Sequence, residues 1–263
     1  MPSFQSGKVG LYYEETGKGI PVVFLHGFSL NSRMWKNQLE YFSKKYRVIA
    51  YDARGHGKSD SPSTGYSRDE RAEDLLNLSK FLGLKEFHLV GFSMGGGDAL
   101  CFAIEHQEYL LSLTLVSSVA SGYTPTVKLN DYTEVIREKG LAEAKRIYIE
   151  SALSVYEKRG VKFRNELESM MNEFSGAIWV DPMMGKYPKR NDVNMAAKVR
   201  IPTLIIAGKN DISWMPLAKI LNEKMLDSRL ELFSGVGHML NLEAPAKFNK
   251  LLEDFLKEIR PGS

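Results

Sequence analysis

Phe87-His88-Leu89-Val90-Gly91-Phe92-Ser93-Met94-Gly95-Gly96-Gly97 is the stretch that decides the fold. Its first four residues form a short, largely apolar run that ends on glycine, the pattern of a strand buried on both faces. From Met94 to Gln107 the pattern turns helical. A serine between strand and helix, with Gly91 and Gly95 two residues to either side, reads as a turn too tight for side chains at its flanks. Such a turn exposes the Ser93 hydroxyl and leaves it at a helix N-terminus, whose partial positive charge favours a developing anion. A serine hydroxyl is a poor nucleophile unless it is exposed, aimed and deprotonated as it attacks, so Ser93 is the candidate nucleophile. A glycine-rich turn packed closely on a helix would show the same spacing. The reading therefore needs a base and an acid elsewhere in the chain.

Working outward, Val22–Leu25, Val48–Tyr51 and Leu111–Val116 are further strand-like runs. Arg68–Leu82 places Ala72, Leu75, Leu78 and Leu82 on one helical face, and Gly83 stops it. Past residue 198 the alternation resumes with a strand at Ile201–Ala207, a helix at Trp214–Leu226, a strand at Leu230–Phe233 and a closing helix at Pro245–Ile259. Strand and helix in steady alternation predict an α/β fold with a doubly wound, mostly parallel sheet. Residues 122–198 are helical in pattern without a convincing strand, and rich in Tyr, Met and Phe. The expected organisation is a core of residues 1–121 and 199–263 interrupted by a helical insertion over 122–198.

Asp211, in the turn Gly208-Lys209-Asn210-Asp211, and His238, in Ser234-Gly235-Val236-Gly237-His238, each follow a predicted strand. In a doubly wound sheet the carboxyl ends of the strands lie along one edge, so Ser93, Asp211 and His238 can converge there. Their chain order is nucleophile, acid, base, as the strand-turn-helix architecture requires. His238 would take the proton from Ser93, and Asp211 would hold the imidazole tautomer. His88 and His106 are expected to be structural, and the same is favoured for His26 and His56, which lie in turns. The backbone N–H groups of Met94 and of Phe28, in His26-Gly27-Phe28, are assigned as donors to an oxyanion. Phe28, Met94 and Trp179 are the candidate pocket residues. Asp98 is expected to hydrogen-bond locally.

Composition removes several alternatives. The chain has 263 residues, 43% hydrophobic, and a formal net charge of +3, which argues against disorder and against a nucleic-acid partner. The densest basic spots, Lys44–Lys45 and Lys186–Arg190, do not alternate with aromatic platforms. A single cysteine, Cys101, excludes an intrachain disulfide and fits a reducing compartment. Neither a secretory signal nor a membrane span is read, so a cytoplasmic location is expected. No metal site, dinucleotide fingerprint or phosphate-binding loop has the required spacing, and no cofactor is expected.

Together His26-Gly27-Phe28, Asp52-Ala53-Arg54-Gly55-His56-Gly57-Lys58-Ser59-Asp60, Gly91–Gly97, Gly208–Asp211 and Gly237-His238 resemble the α/β-hydrolase family, from about residue 9 to residue 258 outside the insertion. The resemblance implies the triad and oxyanion positions given above, a structural role for Asp52–Asp60, and a cap formed by residues 122–198. Phe92–Asp98 is most similar to arylesterases and to the cofactor-free perhydrolases once called non-haem haloperoxidases. Met239–Pro245 is more similar to enol-lactonases and C–C-bond hydrolases. The latter usually carry a small polar residue where Phe92 stands, and Ser93 itself argues against dehalogenases and epoxide hydrolases, which use aspartate there. The expected activity is hydrolysis of small carboxylic esters, with lactones or peracid formation as alternatives. A small-molecule receptor that retains its triad is the rival from another class.

Overall fold

The computed structural model describes residues 2–127 and 130–259. Lys128, Leu129 and the last four residues, which belong to the expected insertion and core segments, lie outside the described residues. The strands are β1 (Ser3–Ser6), β2 (Val9–Thr16), β3 (Pro21–Leu25), β4 (Arg47–Tyr51), β5 (Phe87–Phe92), β6 (Leu110–Val116), β7 (Thr203–Gly208) and β8 (Ser228–Phe233). They form one sheet in the order β1-β2-β4-β3-β5-β6-β7-β8. From β4 to β8 all neighbours are parallel, with Phe24 opposite Ala50 on one side and Val90 on the other. β1 and β2 add an antiparallel edge.

That edge is absent from the sequence reading. β1 is four residues long with alternate residues exposed, too short to carry a clear period. β7 starts at Thr203, two residues later than expected, because Pro202 has no N–H for the ladder. The helix after it spans only Met215–Lys224.

Side-chain alternation in the strands builds two cores. Val23, Leu25, Ile49 and Leu89 pack with Ala72, Leu75 and Leu78 of α2 (Arg68–Phe81) and with Leu100 and Ala103 of α3 (Met94–His106). The intervening residues Val22, Phe24, Val48 and Val90 pack with Leu39 and Phe42 of α1 (Lys36–Phe42) and with the closing helix, through Phe248 and Leu252. α2 starts on a capping box between Ser67 and Glu70, which satisfies two helix N-terminal groups reciprocally. Between β6 and β7 the chain carries α4 (Thr133–Ser154, broken at Gly140), α5 (Val161–Asn172) and the short α6 (Asp192–Met195), and no strand among the described residues. This helical insertion joins the second core through Ile149, Leu153, Met170 and Met171.

Asp98 does not bond locally as expected. Its carboxylate receives two hydrogen bonds from Arg71, at 2.8 and 2.9 Å, and so ties α3 to α2 across 27 residues of sequence. Arg54 and Asp74 make a second buried two-bond pair, at 2.8 and 2.7 Å. Planar guanidinium and carboxylate groups match in this geometry, which keeps buried charges compensated. Asp52 accepts from the N–H groups of Ser32 and Lys58, at 2.7 and 2.9 Å, so the Asp52–Asp60 stretch serves to hold the loop that follows β4. No helix among the described residues is long and apolar enough to cross a membrane.

Candidate active site

Ser93 stands between β5 and α3 with φ 50° and ψ −112°, a conformation that costs a non-glycine residue about 1–3 kcal/mol. The surroundings hold it there. Ser93 N–H donates to Val116 C=O at 2.9 Å, and Ser93 C=O accepts from Gly97 and Val119 N–H, both at 3.1 Å. A Cβ on Gly91 would sit 2.3 Å from the Gly95 carbonyl oxygen, and one on Gly95 would sit 2.5 Å from that of His26. Backbone fills the space at both positions, which is the physical reason for glycine on both flanks of the serine.

Asp211 and His238 arrive on two loops fastened to each other. After β7, Lys209 N–H donates to Phe233 C=O at 2.8 Å and Asn210 N–H to Val236 C=O at 3.1 Å. Gly208 lies so close to Gly237 that a Cβ would meet its carbonyl oxygen at 2.1 Å. Asp211 is buried, and its Oδ1 accepts from Trp214 N–H at 3.2 Å. Its Oδ2 lies 2.7 Å from His238 Nδ1, and His238 Nε2 lies 3.0 Å from Ser93 Oγ. The structure therefore brings all three expected residues into one hydrogen-bonded chain. Phe92 stacks obliquely on the imidazole, with ring centroids 4.9 Å apart.

The loop after β3 lies against the serine. A Cβ on Gly27 would come within 3.4 Å of Ser93 Cβ, and Gly95 N–H donates to His26 C=O at 3.1 Å. Among the described residues neither Phe28 N–H nor Met94 N–H donates a hydrogen bond, so both remain free to serve a ligand oxygen. His26 accepts from Ala53 N–H at Nε2 (2.9 Å), which puts its proton on Nδ1, 2.8 Å from Gly27 C=O. His26 therefore braces the loop, and His56 bonds Arg54 C=O at 3.0 Å; neither enters the Ser93 chain. His88 bonds Ser112 Oγ at 2.8 Å inside the sheet, a structural role as expected.

Burial lowers the pKa of His26, puts that of His56 well below the ordinary 6.5, and brings that of His88 down to about 4. For each, the unfolded chain takes up a proton that the folded chain still refuses. The stability tied to the neutral rings is complete above about pH 6.5 and is lost as pH falls from there, for His88 down to about 4. Within that window His88 should contribute a slope approaching about 1.4 kcal/mol per pH unit, and His26 and His56 act in the same direction. Urea midpoints measured from pH 7.5 to 4.5 should fall steadily below pH 6.5; a flat profile would contradict the neutral buried assignment.

The insertion closes over this loop with aromatic rings. Phe28 meets Phe174 at 4.8 Å, Tyr148 at 5.8 Å and Trp179 at 5.9 Å between ring centroids. Trp179 and Phe28 thus belong to one aromatic cluster, whereas Met183 and Met184 are exposed. Two clefts of about 860 and 610 Å³ run along α5 with α1 and along α5 with α4; Ser93, Phe28 and Trp179 line neither. Sequence reasoning missed the support of the histidine loop. Glu243 accepts from Gly237 N–H at 3.1 Å, and Arg159 of the insertion pairs with Glu243. Arg159 and Glu243 stand 84 residues apart, a distance at which no local pattern gives a signal.

Comparison with known proteins agrees with this architecture. Residues 20–245 match a family model described as alpha/beta hydrolase fold. The chain is 30% identical to AB hydrolase superfamily protein YisY of Bacillus subtilis (strain 168), over 94% of this chain and 95% of that protein. It is similar to a bromoperoxidase from Bacillus anthracis (TM-score 0.85, 28% identity, 97% and 99% of the two chains). It is also similar to the esterase EaEST from Exiguobacterium antarcticum (TM-score 0.80, 28% identity, 95% and 96%). A full-length sheet of this order, a serine at the strand-helix turn, and matches that span nearly the whole chain lead to one conclusion: this protein belongs to the α/β-hydrolase family.

Proposed function

We propose that the chain hydrolyses small carboxylic esters through an acyl-enzyme on Ser93, with His238 as general base and Asp211 as its orienting acid. The observation that carries this is the unbroken run of hydrogen bonds from Ser93 Oγ to His238 Nε2 (3.0 Å) and from His238 Nδ1 to Asp211 Oδ2 (2.7 Å). With Nδ1–H held by the carboxylate, the Nε2 lone pair faces the serine hydroxyl. As Ser93 Oγ bonds to the ester carbonyl carbon, its proton passes to Nε2 and the carbonyl oxygen becomes an oxyanion between Phe28 and Met94 N–H. Collapse breaks the carbon–alkoxy bond, and the departing alcohol takes the proton from Nε2. Water then attacks the acyl carbon, giving its proton to His238; the acid leaves and Ser93 Oγ is reprotonated.

The insertion, residues 122–198, is the proposed cap. Its aromatic cluster around Phe28 favours a small, apolar acyl site over a long groove. Among p-nitrophenyl esters, acetate and butyrate should give the highest kcat/KM, and Trp179→Ala should shift the optimum toward bulkier acyl groups. An optimum at twelve or more carbons, unmoved by Trp179→Ala, would overturn the small-pocket reading. Relatives that bear esterase and bromoperoxidase names support the ester reading without separating it from peracid formation. The test is a panel of activated esters, lactones, and esters with peroxide, run on wild type and Ser93→Ala. Turnover of lactones alone, or ligand binding that changes cap stability with negligible turnover, would replace the ester reading by a lactonase or a receptor.

A further inference from the structure

Residues Gly27–Leu30 form a tight turn, closed by Leu30 N–H donating to Gly27 C=O at 3.2 Å. Its third residue, Ser29, has φ 60°, whereas Phe28 is not among the residues of positive φ. That combination is a type II turn, whose third position favours glycine, yet a serine occupies it. A type I turn would allow Ser29 an unstrained negative φ. To reach it the Phe28–Ser29 peptide must rotate, exchanging the directions of Phe28 C=O and Ser29 N–H directly beside the proposed oxyanion donor.

Something must hold the strained form, and the hydrogen bonds identify it. Ser29 is fully buried, and its Oγ lies 2.7 Å from Tyr148 Oη, a side chain of α4 from 119 residues further along the chain. Tyr148 is itself wedged among Phe28, Tyr132 and Trp179, with ring centroids at 5.8, 5.8 and 5.4 Å. Burial raises its pKa to about 12, so the phenol keeps its proton at neutral pH and the bond is between two neutral hydroxyls.

We infer that Tyr148 is a positioning residue of the cap: its hydrogen bond to Ser29 locks the Phe28–Ser29 peptide, and so fixes which way Phe28 C=O and Ser29 N–H point beside Phe28 N–H, the proposed oxyanion donor. The cap then acts on the rate of the chemical step as well as on substrate fit. This inference rests on the reading of Ser93 as nucleophile and Phe28 N–H as oxyanion donor.

The experiment is a set of variants assayed with p-nitrophenyl acetate and, in parallel, for active-site content by titration with a phosphonate that labels serine. Tyr148→Phe should lower kcat about tenfold with KM changed less than about twofold, the signature of a contact that matters in the transition state. Ser29→Ala removes the same bond from its other end and should lose kcat to the same degree; it also serves if Tyr148→Phe fails to fold. Adding Ser29→Gly to Tyr148→Phe should recover most of the lost kcat, because glycine holds φ near +60° without help. Adding Ser29→Ala to Tyr148→Phe should recover none. A bond that merely fastens the cap would lower Tm, and glycine would then give no recovery. Unchanged kcat in Tyr148→Phe or Ser29→Ala, or a loss that glycine fails to restore, overturns the proposal. Failure of the underlying reading looks different: wild-type turnover would survive Ser93→Ala, or the phosphonate would label another residue.

Discussion

Ser93→Ala is expected to lower kcat/KM for p-nitrophenyl acetate by about 10⁵-fold or more, a loss of the size seen when a triad nucleophile is removed. The residual rate would come from the oxyanion donors and binding alone. The fold should tolerate the change. Alanine suffers the same strain at φ 50°, the backbone bonds to Val116, Gly97 and Val119 are untouched, and only the hydroxyl contact with His238 goes. Tm should therefore stay within a few degrees, which separates a chemical loss from an unfolded enzyme. An organophosphate should add one equivalent to wild type and none to the variant, and peptide mapping should place it on Ser93. Undiminished turnover in a folded Ser93→Ala protein would remove Ser93 from the mechanism.

Asp211→Asn should cost up to about 10⁴-fold in kcat with little structural change. The amide is nearly isosteric with the carboxylate, and its oxygen can keep the bond from Trp214 N–H, now 3.2 Å from Oδ1. Its NH₂ would then face His238 Nδ1 and require that nitrogen to accept. The ring proton moves to Nε2, which can no longer take the Ser93 proton. The deficit should appear in kcat with KM little affected. Near wild-type kcat would mean that a different carboxylate holds the histidine.

The parts of this architecture that local rules govern were readable in the chain. β5 and α3 meet at a serine whose flanking glycines are explained by backbone contacts at 2.3 and 2.5 Å, and such glycines show in any sequence. The loops of Asp211 and His238 each follow a strand-like run, Ile201–Ala207 and Leu230–Phe233, so chain order and the common edge sufficed to pair them with Ser93. Contacts that span elements were not readable. Asp98 reads as a local hydrogen-bonding residue because its partner Arg71 belongs to another helix. Tyr148 was one aromatic among many in the insertion until Ser29 gave its hydroxyl a partner. β1 and α1 escaped notice because a four-residue strand and a seven-residue helix hold too few periods to stand out.

The three residues of the proposed triad do not share the same protection from local opening. Ser93 follows β5, buried along its whole length and paired on both sides, with β3 and β6. His238 follows β8, the last strand of the sheet, which among the described residues has β7 as its only strand neighbour and is half-buried over five of its six residues. Amide hydrogens at such an edge exchange through small local fluctuations, while those of a central strand wait for global unfolding. On warming, the sheet margin that carries His238 should loosen first. Inactivation should then run ahead of melting, and added pairing along β8 should extend the working temperature range more than the same stabilisation placed in the centre of the sheet.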